Sequence, residues 1–265
     1  QWLGCFLSRV KPTLVENPSL VGETHGKTAT ETVENTAMER LNMNNKLGVI
    51  RLERNGPDDV GLVEMTCKPE DFHSAVPTQN LHVYFEDKDK GFSVGVWDTT
   101  SMQEVFGPYP GDEFVWVLDG EFSMVDGDDN AVFCPNDACV SFRNAAPLSW
   151  LQHGYLKKFY ITYIDPKADT PQIDSAVGAI QVLDPDVTLE VMDNTDPFVI
   201  EGAVPVQKNH TNFTNDAGTF FTGTWESGPM VSKMLAFPTH EFVRMLEGQV
   251  TITEEDGRAQ TFKGG

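Results

Sequence analysis

Residues 75–97, AVPTQNLHVYFEDKDKGFSVGVW, return 128 positions later as residues 203–225, AVPVQKNHTNFTNDAGTFFTGTW. The similarity continues without a gap to position 120 in the first copy and 248 in the second, and 16 of these 46 aligned positions are identical. Self-similarity at a fixed spacing indicates that one structural unit has been built twice. The fold of the whole chain therefore depends on the nature of this unit.

Each copy has the residue pattern of short β-strands. Apolar residues recur at every second position in short runs bounded by Gly, Pro, Asp and Asn. We predict strands over 92–97, 113–118, 121–125, 138–142 and 157–164, a hairpin turn at 126–130 and its counterpart at 254–258. A helix is predicted only over 28–41, where Thr28 and Glu31 have the spacing of a capping box. Many short strands and few helices predict an all-β sandwich or barrel, built twice.

A chain of 265 residues has room for two such domains. We predict an N-terminal arm at 1–46, a first barrel at 47–165, a linker rich in Pro and Asp at 166–177, and a second barrel at 178–265. Each barrel is expected to open with an extra strand, at 48–50 and 178–180. The arm is expected to be loosely packed or to wrap the first barrel. The second copy ends opposite the approach to Asn136, so its barrel must lack final strands and either expose an edge or borrow strands.

Composition restricts the kind of partner. Forty acidic and nineteen basic residues give a formal net charge of -21, which repels phosphate backbones and anionic lipid surfaces. No apolar run approaches the length of a membrane span. The four cysteines lack metal-site spacing and are typical of free thiols in a reducing compartment. We therefore expect a cytoplasmic protein with a small-molecule ligand and no nucleic-acid or membrane partner, and a homodimer is compatible with this composition.

Motif order and spacing in both copies resemble one protein family. Glu113 and Gly120 have the spacing of the second half of the first cupin motif, and Glu241 and Gly248 repeat it. The series Gly95-x-Trp97, Tyr109-x-x-Asp112-Glu113-Phe114-x-x-x-Leu118-x-Gly120, Asn136-Asp137 and Lys157-Lys158-x-Tyr160 is similar to the cupin subgroup that contains (S)-ureidoglycine aminohydrolase and the ethanolamine-utilisation cupin. The resemblance implies an all-β fold of two tandem cupin jelly-roll β-barrels, the second incomplete.

The sequence departs from metal-binding cupins at the histidines of the first motif. Those positions fall on Gly107 and Tyr109, or on Phe106 and Pro108, and the second copy offers no histidine there either. A first-row metal needs three or four converging N, O or S donors. We therefore predict no cofactor, and a divalent metal is not supported by a His triad.

The resemblance also implies which side chains face the barrel interior. Glu113 and Glu241 are the candidate catalytic residues, either as general acids or bases with a pKa raised by desolvation, or as carboxylates that only lock the barrel. Candidate pocket residues are Tyr109, Trp150, Lys158, Phe237, His82 and His210. Strand alternation allows only one of Lys157 and Lys158 to face inward.

Three functions remain open at this point. One is an aminohydrolase-like enzyme that acts on a small polar metabolite. The second is a metal-free cupin that binds such a metabolite without turning it over. The third is a structural duplicated barrel whose pocket has no function. Donor groups converging around Glu113 would favour the enzyme, and a side-chain-filled barrel would favour the structural role.

Overall fold

The predicted all-β fold is confirmed by a computed structural model of the chain. It describes residues 3–10, 48–193, 200–237 and 239–264, with only the side chains of Cys5 and Leu7 in the first range. The helix predicted over 28–41 lies outside the described residues. Helical structure in the described residues consists of two short 3-10 turns, Pro57–Asp59 and Pro69–Asp71. Among these residues no helix has the length and apolar character that a membrane crossing requires.

Twenty-one strands make up the described chain, and all five predicted strands are among them. In chain order they are β1 (Leu3–Val10), β2 (Val63–Glu64), β3 (Gln79–Asp87), β4 (Phe92–Thr99), β5 (Met102–Gln103), β6 (Gly107–Pro108), β7 (Asp112–Asp119), β8 (Phe122–Val125), β9 (Ala131–Cys134), β10 (Cys139–Phe142), β11 (Pro147–Gln152), β12 (Leu156–Tyr163), β13 (Ile180–Val182), β14 (Glu190–Val191), β15 (Ile200–Glu201), β16 (Gln207–Thr214), β17 (Phe220–Ser227), β18 (Val231–Ser232), β19 (His240–Glu247), β20 (Gln249–Thr253) and β21 (Ala259–Lys263).

Both predicted hairpin turns are present. The turn between β8 and β9 is closed by a hydrogen bond from the Asp126 N–H to the Asn130 carbonyl, and the turn between β20 and β21 by the equivalent bond from Glu254 to Arg258. The motif glycine Gly120 ends β7 with a φ of 80°, a conformation that L side chains rarely adopt. Gly248 ends β19 in the same way, with a φ of 77°.

Two sheets enclose the core of the first unit. A seven-stranded sheet has the order β13-β10-β7-β12-β4-β3-β2, and it packs against a sheet of order β5-β11-β8-β9. Alternation along β7 turns Val115 and Val117 into this core, while Phe114 points to the opposite face. Trp150 of β11 and Phe122 of β8 stack in the same core with ring centroids 3.9 Å apart. The core of this two-sheet unit, for which we keep the name first barrel, is therefore filled by side chains from both sheets.

The second unit repeats one of these sheets and leaves its inner face open. Its sheet has the order β14-β16-β17-β1-β19, and the hairpin of β20 and β21 forms a separate sheet. Val243, the counterpart of Val115, is 43% exposed, whereas Val115 is 0% exposed. The second unit has no counterparts of β10, β11 and β12 among the described residues, and those residues leave the inner face of its sheet partly uncovered.

The predicted N-terminal arm requires a correction. Residues 3–10 are neither loosely packed nor wrapped around the first barrel, because β1 lies between β17 and β19 and pairs with both in parallel. Cys5 and Leu7 of this strand are buried in the core between the two units. The second unit thus borrows a strand, which was one of the two predicted alternatives.

The predicted opening strands also behave differently from expectation. Ile180–Val182 joins the sheet of the first unit, where Val182 pairs with Val140. Residues 48–50 form no strand, and they contact the second unit instead: the Val49 N–H donates to Glu254 Oε1 over 2.9 Å, and the Gln260 side-chain amide donates to the Val49 carbonyl. The segment before the first unit therefore contacts the second unit, and the segment before the second unit contacts the first.

A mixed apolar and polar interface joins the two units. Phe114 of β7 packs against Phe242 of β19, with ring centroids 5.6 Å apart. The buried hydroxyls of Ser141 and Thr222 lie 2.8 Å apart, and the Asn215 amide donates to Asp112 Oδ2 over 2.9 Å. Such an interface fixes the orientation of the units, because buried polar groups tolerate few alternative pairings.

At the rim of this interface Arg244 forms a clasp between the units. Its guanidinium donates to both carboxylate oxygens of Asp137 over 2.7 and 2.8 Å, and it lies 4.2 Å from the centre of the Trp116 ring. The Trp116 indole N–H donates to the same carboxylate. The guanidinium and indole hydrogen bonds hold the pKa of Asp137 below its usual value against the opposing effect of burial.

Candidate functional site

A charged cluster lies inside the first barrel, on three of its strands. Glu113 extends inward from β7 and is 6% exposed, and Lys158 extends inward from β12. The Lys158 ammonium donates to Glu113 Oε1 over 2.9 Å, and the Tyr109 hydroxyl donates to Glu113 Oε2. Trp150 of β11 completes the group, with its ring centre 4.4 Å from the ammonium. Four of the residues predicted from sequence therefore meet at one place.

Aromatic rings surround the Lys158 ammonium. Trp97 of β4 lies 4.9 Å from it, so the cation sits against two indole faces. The Trp150 indole N–H is satisfied by Gln152 Oε1 over 2.9 Å, which fixes the orientation of that ring. Trp97, which the sequence indicated only as part of the Gly95-x-Trp97 motif, is thus also part of the charged cluster.

Tyr109 is a hydrogen-bond donor in this cluster. Burial, followed by the charge of Glu113, raises the pKa of its hydroxyl well above the usual value. A neutral phenol donates to the carboxylate, and the ammonium donates to the other oxygen. Both oxygens of Glu113 are therefore occupied by protein donors, which describes a carboxylate held in place.

Glu104 is a further acidic group that the sequence did not indicate. It follows β5, is half-buried, and has neither a side-chain hydrogen bond nor an ion pair within the described residues. Burial raises the pKa of its carboxyl to about 7, Lys158 opposes this effect, and Glu113 adds to it. The second copy has Ser232 at this position, so Glu104 is not among the residues that the two copies share.

Lys157 and Lys158 of β12 extend to opposite faces of the sheet, as strand alternation requires. Lys158 faces the barrel interior, whereas the Lys157 ammonium lies on the other face and donates to Asn55 Oδ1 over 2.8 Å, with Asp98 at 3.6 Å. The inward position of Lys158 is what brings a cation to Glu113.

Glu241 in the second unit stands in a different environment. It extends from β19 on the face opposite Phe242, toward the open side of the second sheet, and solvent reaches its side chain. The surrounding protein still desolvates the carboxyl enough to raise its pKa to about 7. Within the described part of the chain no hydrogen bond or ion pair reaches it, so Glu241 lacks the partners that Glu113 has.

The remaining predicted pocket residues lie away from the cluster. His82 is paired with Val96 on the outer face of the first sheet and packs edge-on against Tyr84, 4.7 Å between ring centres; burial lowers its pKa. His210 is half-buried on β16 of the second unit. Phe237 is 57% exposed in the second unit. Strand direction and the open second sheet place these three side chains outside the barrel that holds Glu113.

The donor set around Glu113 does not fit a divalent metal. No group of three or more His, Cys, Asp or Glu side chains converges anywhere in the described ranges. The Lys158 ammonium also lies within 2.9 Å of Glu113 Oε1, where a metal bound by that oxygen would meet its charge. Lysine supplies the positive charge in this barrel.

Two surface clefts exist outside the cluster. One, of 320 Å³, is lined by residues 85–89, and the other, of 260 Å³, is lined by residues of the 49–58 segment with Tyr84 and Gln260. Neither cleft is lined by a residue of the charged cluster.

Comparison with known proteins gives partial matches. No model of a known protein family matches the sequence, and no curated protein is similar enough to be counted as a relative. Among solved structures, a protein of unknown function from Pseudomonas syringae pv. tomato is 23% identical with a TM-score of 0.38, and the match covers 42% of this chain and 46% of that one. The EutQ protein of Clostridium difficile is 14% identical with a TM-score of 0.30, over 37% of this chain and 80% of that one.

A cupin-2 domain protein from Rhodospirillum rubrum is 12% identical with a TM-score of 0.33, over 48% of this chain and 83% of that one. Each of these three matches covers less than half of the present chain, and this chain spans about half the length of the Pseudomonas protein. At such identities a match concerns the fold alone. The chain is an all-β protein by its own strands, and its activity has to be argued from its own residues.

Proposed function

We propose that the first barrel binds a small polar metabolite at the cluster of Glu104, Glu113 and Lys158. The observation that carries the proposal is the buried ion pair between Glu113 and Lys158, whose side chains are 8% and 9% exposed. Desolvating two charges is costly, and apolar residues of similar volume would fill a purely structural core at least as well. Burial also raises the pKa of the neighbouring Glu104 carboxyl to about 7, and strongly perturbed carboxyl groups beside a charge partner are typical of functional sites.

The charges of the cluster define the class of ligand. Lys158 compensates Glu113, and Tyr109 occupies its second oxygen, which leaves the Glu104 carboxylate as the group without a hydrogen bond or ion pair among the described residues. We expect the ligand to present a cation or several N–H donors, as an amine, a guanidine or a urea does. Trp97 and Trp150 supply aromatic surface beside it. The proposal needs no metal, because Lys158 supplies the cation.

A catalytic extension follows the resemblance to the aminohydrolase-containing cupin subgroup. A carboxyl with a pKa of about 7 suits a general acid or base near neutral pH, and Glu104 has that property in the first barrel. We therefore propose Glu104, rather than the fully bonded Glu113, as the proton-transfer group if C–N bond cleavage occurs. Glu113 is then the positioning residue for Lys158.

Calorimetric titration of the protein with small amines, guanidines, ureas and carboxylates tests the binding proposal. We expect an N–H-donating compound to bind, and Glu104→Gln to weaken that binding about tenfold, because a charged hydrogen bond becomes a neutral one. Glu121→Gln, on an exposed position of the same barrel, is the matched control. Absence of binding across the panel, or equal effects of both variants, would contradict the proposal.

A structural role is the second candidate, and the packed interior favours it. Trp150 lies flat on Phe122 with an interplanar angle of 9°, and both rings are buried. If the barrel serves only to hold the units together, Glu104→Gln and Lys158→Met change stability while no compound of the panel binds.

A further inference from the structure

The segment between β2 and β3 crosses from one sheet of the first unit to the other. It leaves β2, the edge strand of the seven-stranded sheet, with a hydrogen bond from the Met65 N–H to the Gln79 carbonyl over 2.8 Å. It then contacts β5, the edge strand of the facing sheet, before it returns to β3. We call residues 65–74 the strap. The strap covers the side of the first barrel on which these two edges lie.

Hydrogen bonds fasten the strap to β5 and to the residues that follow β5. The Val105 N–H donates to the Asp71 carbonyl over 2.9 Å, and the His73 N–H donates to the Gln103 carbonyl over 2.8 Å. The Gln103 N–H in turn donates to the Ser74 hydroxyl over 3.0 Å. These residues are exposed except for Ser74, which is half-buried. Hydrogen bonds at the surface open locally at a lower free-energy cost than those of a buried core.

Phe72 lies beside Glu104 at the centre of this attachment. The two residues form an isolated antiparallel bridge, and directly paired residues extend to the same face. Glu104 lies two positions after Met102, which is buried in the barrel core, so alternation turns Glu104 inward as well. Phe72 packs against the same core. The strap therefore places an aromatic ring next to the Glu104 carboxyl and contributes to its burial.

The charged residues of the proposed ligand site are shielded from solvent to different extents. Glu113 is 6% exposed and Lys158 is 7% exposed, whereas Glu104 is half-buried. Neither of the two surface clefts is lined by any of the three. A ligand that contacts Glu104 and the charges behind it therefore needs a local opening, and the strap is the surface segment that is paired with Glu104.

We propose that the strap is the gate of this site: it opens at the bridge between Phe72 and Glu104, admits a small polar ligand, and closes over it. The inference rests on the proposed binding function for the identity of the site, whereas the opening of the strap is measurable without a ligand. In the closed state Phe72 keeps water away from the Glu104 carboxyl. A charged hydrogen bond from the ligand is stronger in such a dry environment.

A thiol introduced by Glu104→Cys reports access to the site. The strap is held by backbone atoms and by the Ser74 hydroxyl, so this substitution leaves its hydrogen bonds in place. Cys67 lies on the strap and is replaced by serine in the same protein. The rate at which iodoacetamide alkylates the introduced thiol is then followed by mass spectrometry of peptides. Cys134, in the core of the first barrel, is the internal control and should stay protected.

Two variants of the strap are compared in this protein. Ser74→Ala removes one hydrogen bond of the attachment and should raise the alkylation rate about fivefold, because the opening equilibrium shifts by about that factor. Phe72→Ala removes the ring beside the thiol and should raise the rate further. Ser101→Ala is the matched control, since the Ser101 hydroxyl also donates to a backbone carbonyl, that of Gln152 over 3.1 Å, but lies outside the strap. It should leave the rate unchanged.

The outcomes separate the gate from the binding function. Equal rates in the Ser74→Ala and Ser101→Ala proteins would overturn the gate, whatever compound binds to the unmodified protein. Reaction of Cys134 together with the introduced thiol would also overturn it, because the whole barrel then opens. A rate that depends on the strap, without binding of any amine, guanidine, urea or carboxylate, would support the opening of the strap and contradict the binding function.

A compound that binds in the calorimetric titration provides a second test, with Glu104 in place. Stopped-flow mixing should show that Ser74→Ala raises the association and dissociation rates by similar factors, because the closed state is weakened in the free and in the bound protein alike. The affinity should therefore change little. An association rate equal to that of the Ser101→Ala control would show that the ligand enters by another route and would contradict the gate.

Discussion

Removal of the Lys158 charge by Lys158→Met tests the central feature of the candidate site. Methionine keeps the length and most of the volume of the lysine chain and retains contact with the two indole rings. Glu113 is then left inside the barrel with the Tyr109 hydroxyl as its remaining donor. Breaking a buried ion pair by removing one partner costs about 3–5 kcal/mol, since the other charge stays buried.

The structure places this pair in the range where that estimate applies. Both side chains are less than one-tenth exposed, and the ammonium lies 2.9 Å from the carboxylate oxygen. Part of the loss is offset by sulfur–aromatic contact, so we expect about 3 kcal/mol of destabilisation. For a domain of about 120 residues, an unfolding entropy of about 2.1 cal/mol/K per residue makes 1 kcal/mol correspond to a shift of about 4 °C in the melting temperature. The expected fall in the unfolding temperature of the first barrel is therefore about 12 °C.

The double variant Lys158→Met with Glu113→Gln separates a charge effect from a packing effect. With both charges removed, we expect a destabilisation of only about 1 kcal/mol, which is about 2 kcal/mol less than that of Lys158→Met alone. Lys88→Met is the matched control, because the Lys88 side chain is 82% exposed and its change should stay within about 0.5 kcal/mol.

Thermal unfolding followed by tryptophan fluorescence is a suitable measurement, since Trp97 and Trp150 lie beside the altered residue. If Lys158→Met costs no more than Lys88→Met, or if the double variant is less stable than Lys158→Met alone, Glu113 and Lys158 do not form the buried pair described above.

Three further predictions concern pH, the interface and backbone packing. Burial raises the pKa of the Glu104 carboxyl from 4.5 to about 7. Its contribution to stability is therefore full below pH 4.5 and is lost as the pH rises toward 7. Glu104→Gln should flatten that part of the pH–melting profile, and an unchanged profile would contradict this prediction. Arg244→Lys loses the two hydrogen bonds to the Asp137 carboxylate and should lower the free energy of unfolding in urea by about 1–2 kcal/mol. Arg258→Lys, in an exposed hairpin turn, is the control and should cost little. Equal costs would argue against the clasp. Gly95→Ala places a Cβ 2.5 Å from the His82 carbonyl oxygen and should lower the free energy of unfolding by more than about 2 kcal/mol. Gly154→Ala, where no atom lies within 4 Å of the added Cβ, is the control and should be nearly neutral. A neutral Gly95→Ala would refute the close strand contact.

Much of the fold was accessible to sequence reasoning, because it depends on local patterns. The period-two alternation in 113–118 predicts a strand, and the same alternation turns Glu113 to the side of Val115 and away from Phe114. The repeat likewise predicts that β17 and β19 resemble β4 and β7. Alternation also predicted that only one of Lys157 and Lys158 faces inward, although alternation alone did not indicate which of the two.

Other features could not be found by these means. Glu104 has no repeated partner, and its raised pKa depends on burial and on charges 9 and 54 positions away in the chain. His82 and His210 are repeated residues, yet repetition does not specify which face of a sheet a side chain occupies. The repeat therefore named His82 and His210 as candidates without locating their side chains.

The sequence by itself determined a duplicated all-β unit and the residue types that its inner face presents, because strand alternation and turn composition are properties of neighbouring residues. Only the tertiary structure decided which charges meet, since Lys158 reaches Glu113 through the pairing of β12 with β7, and β1 lies between β17 and β19, which are more than 200 residues away in the chain. Pairing between distant strands depends on which edges remain open once the rest of the chain has folded, and no local pattern records that.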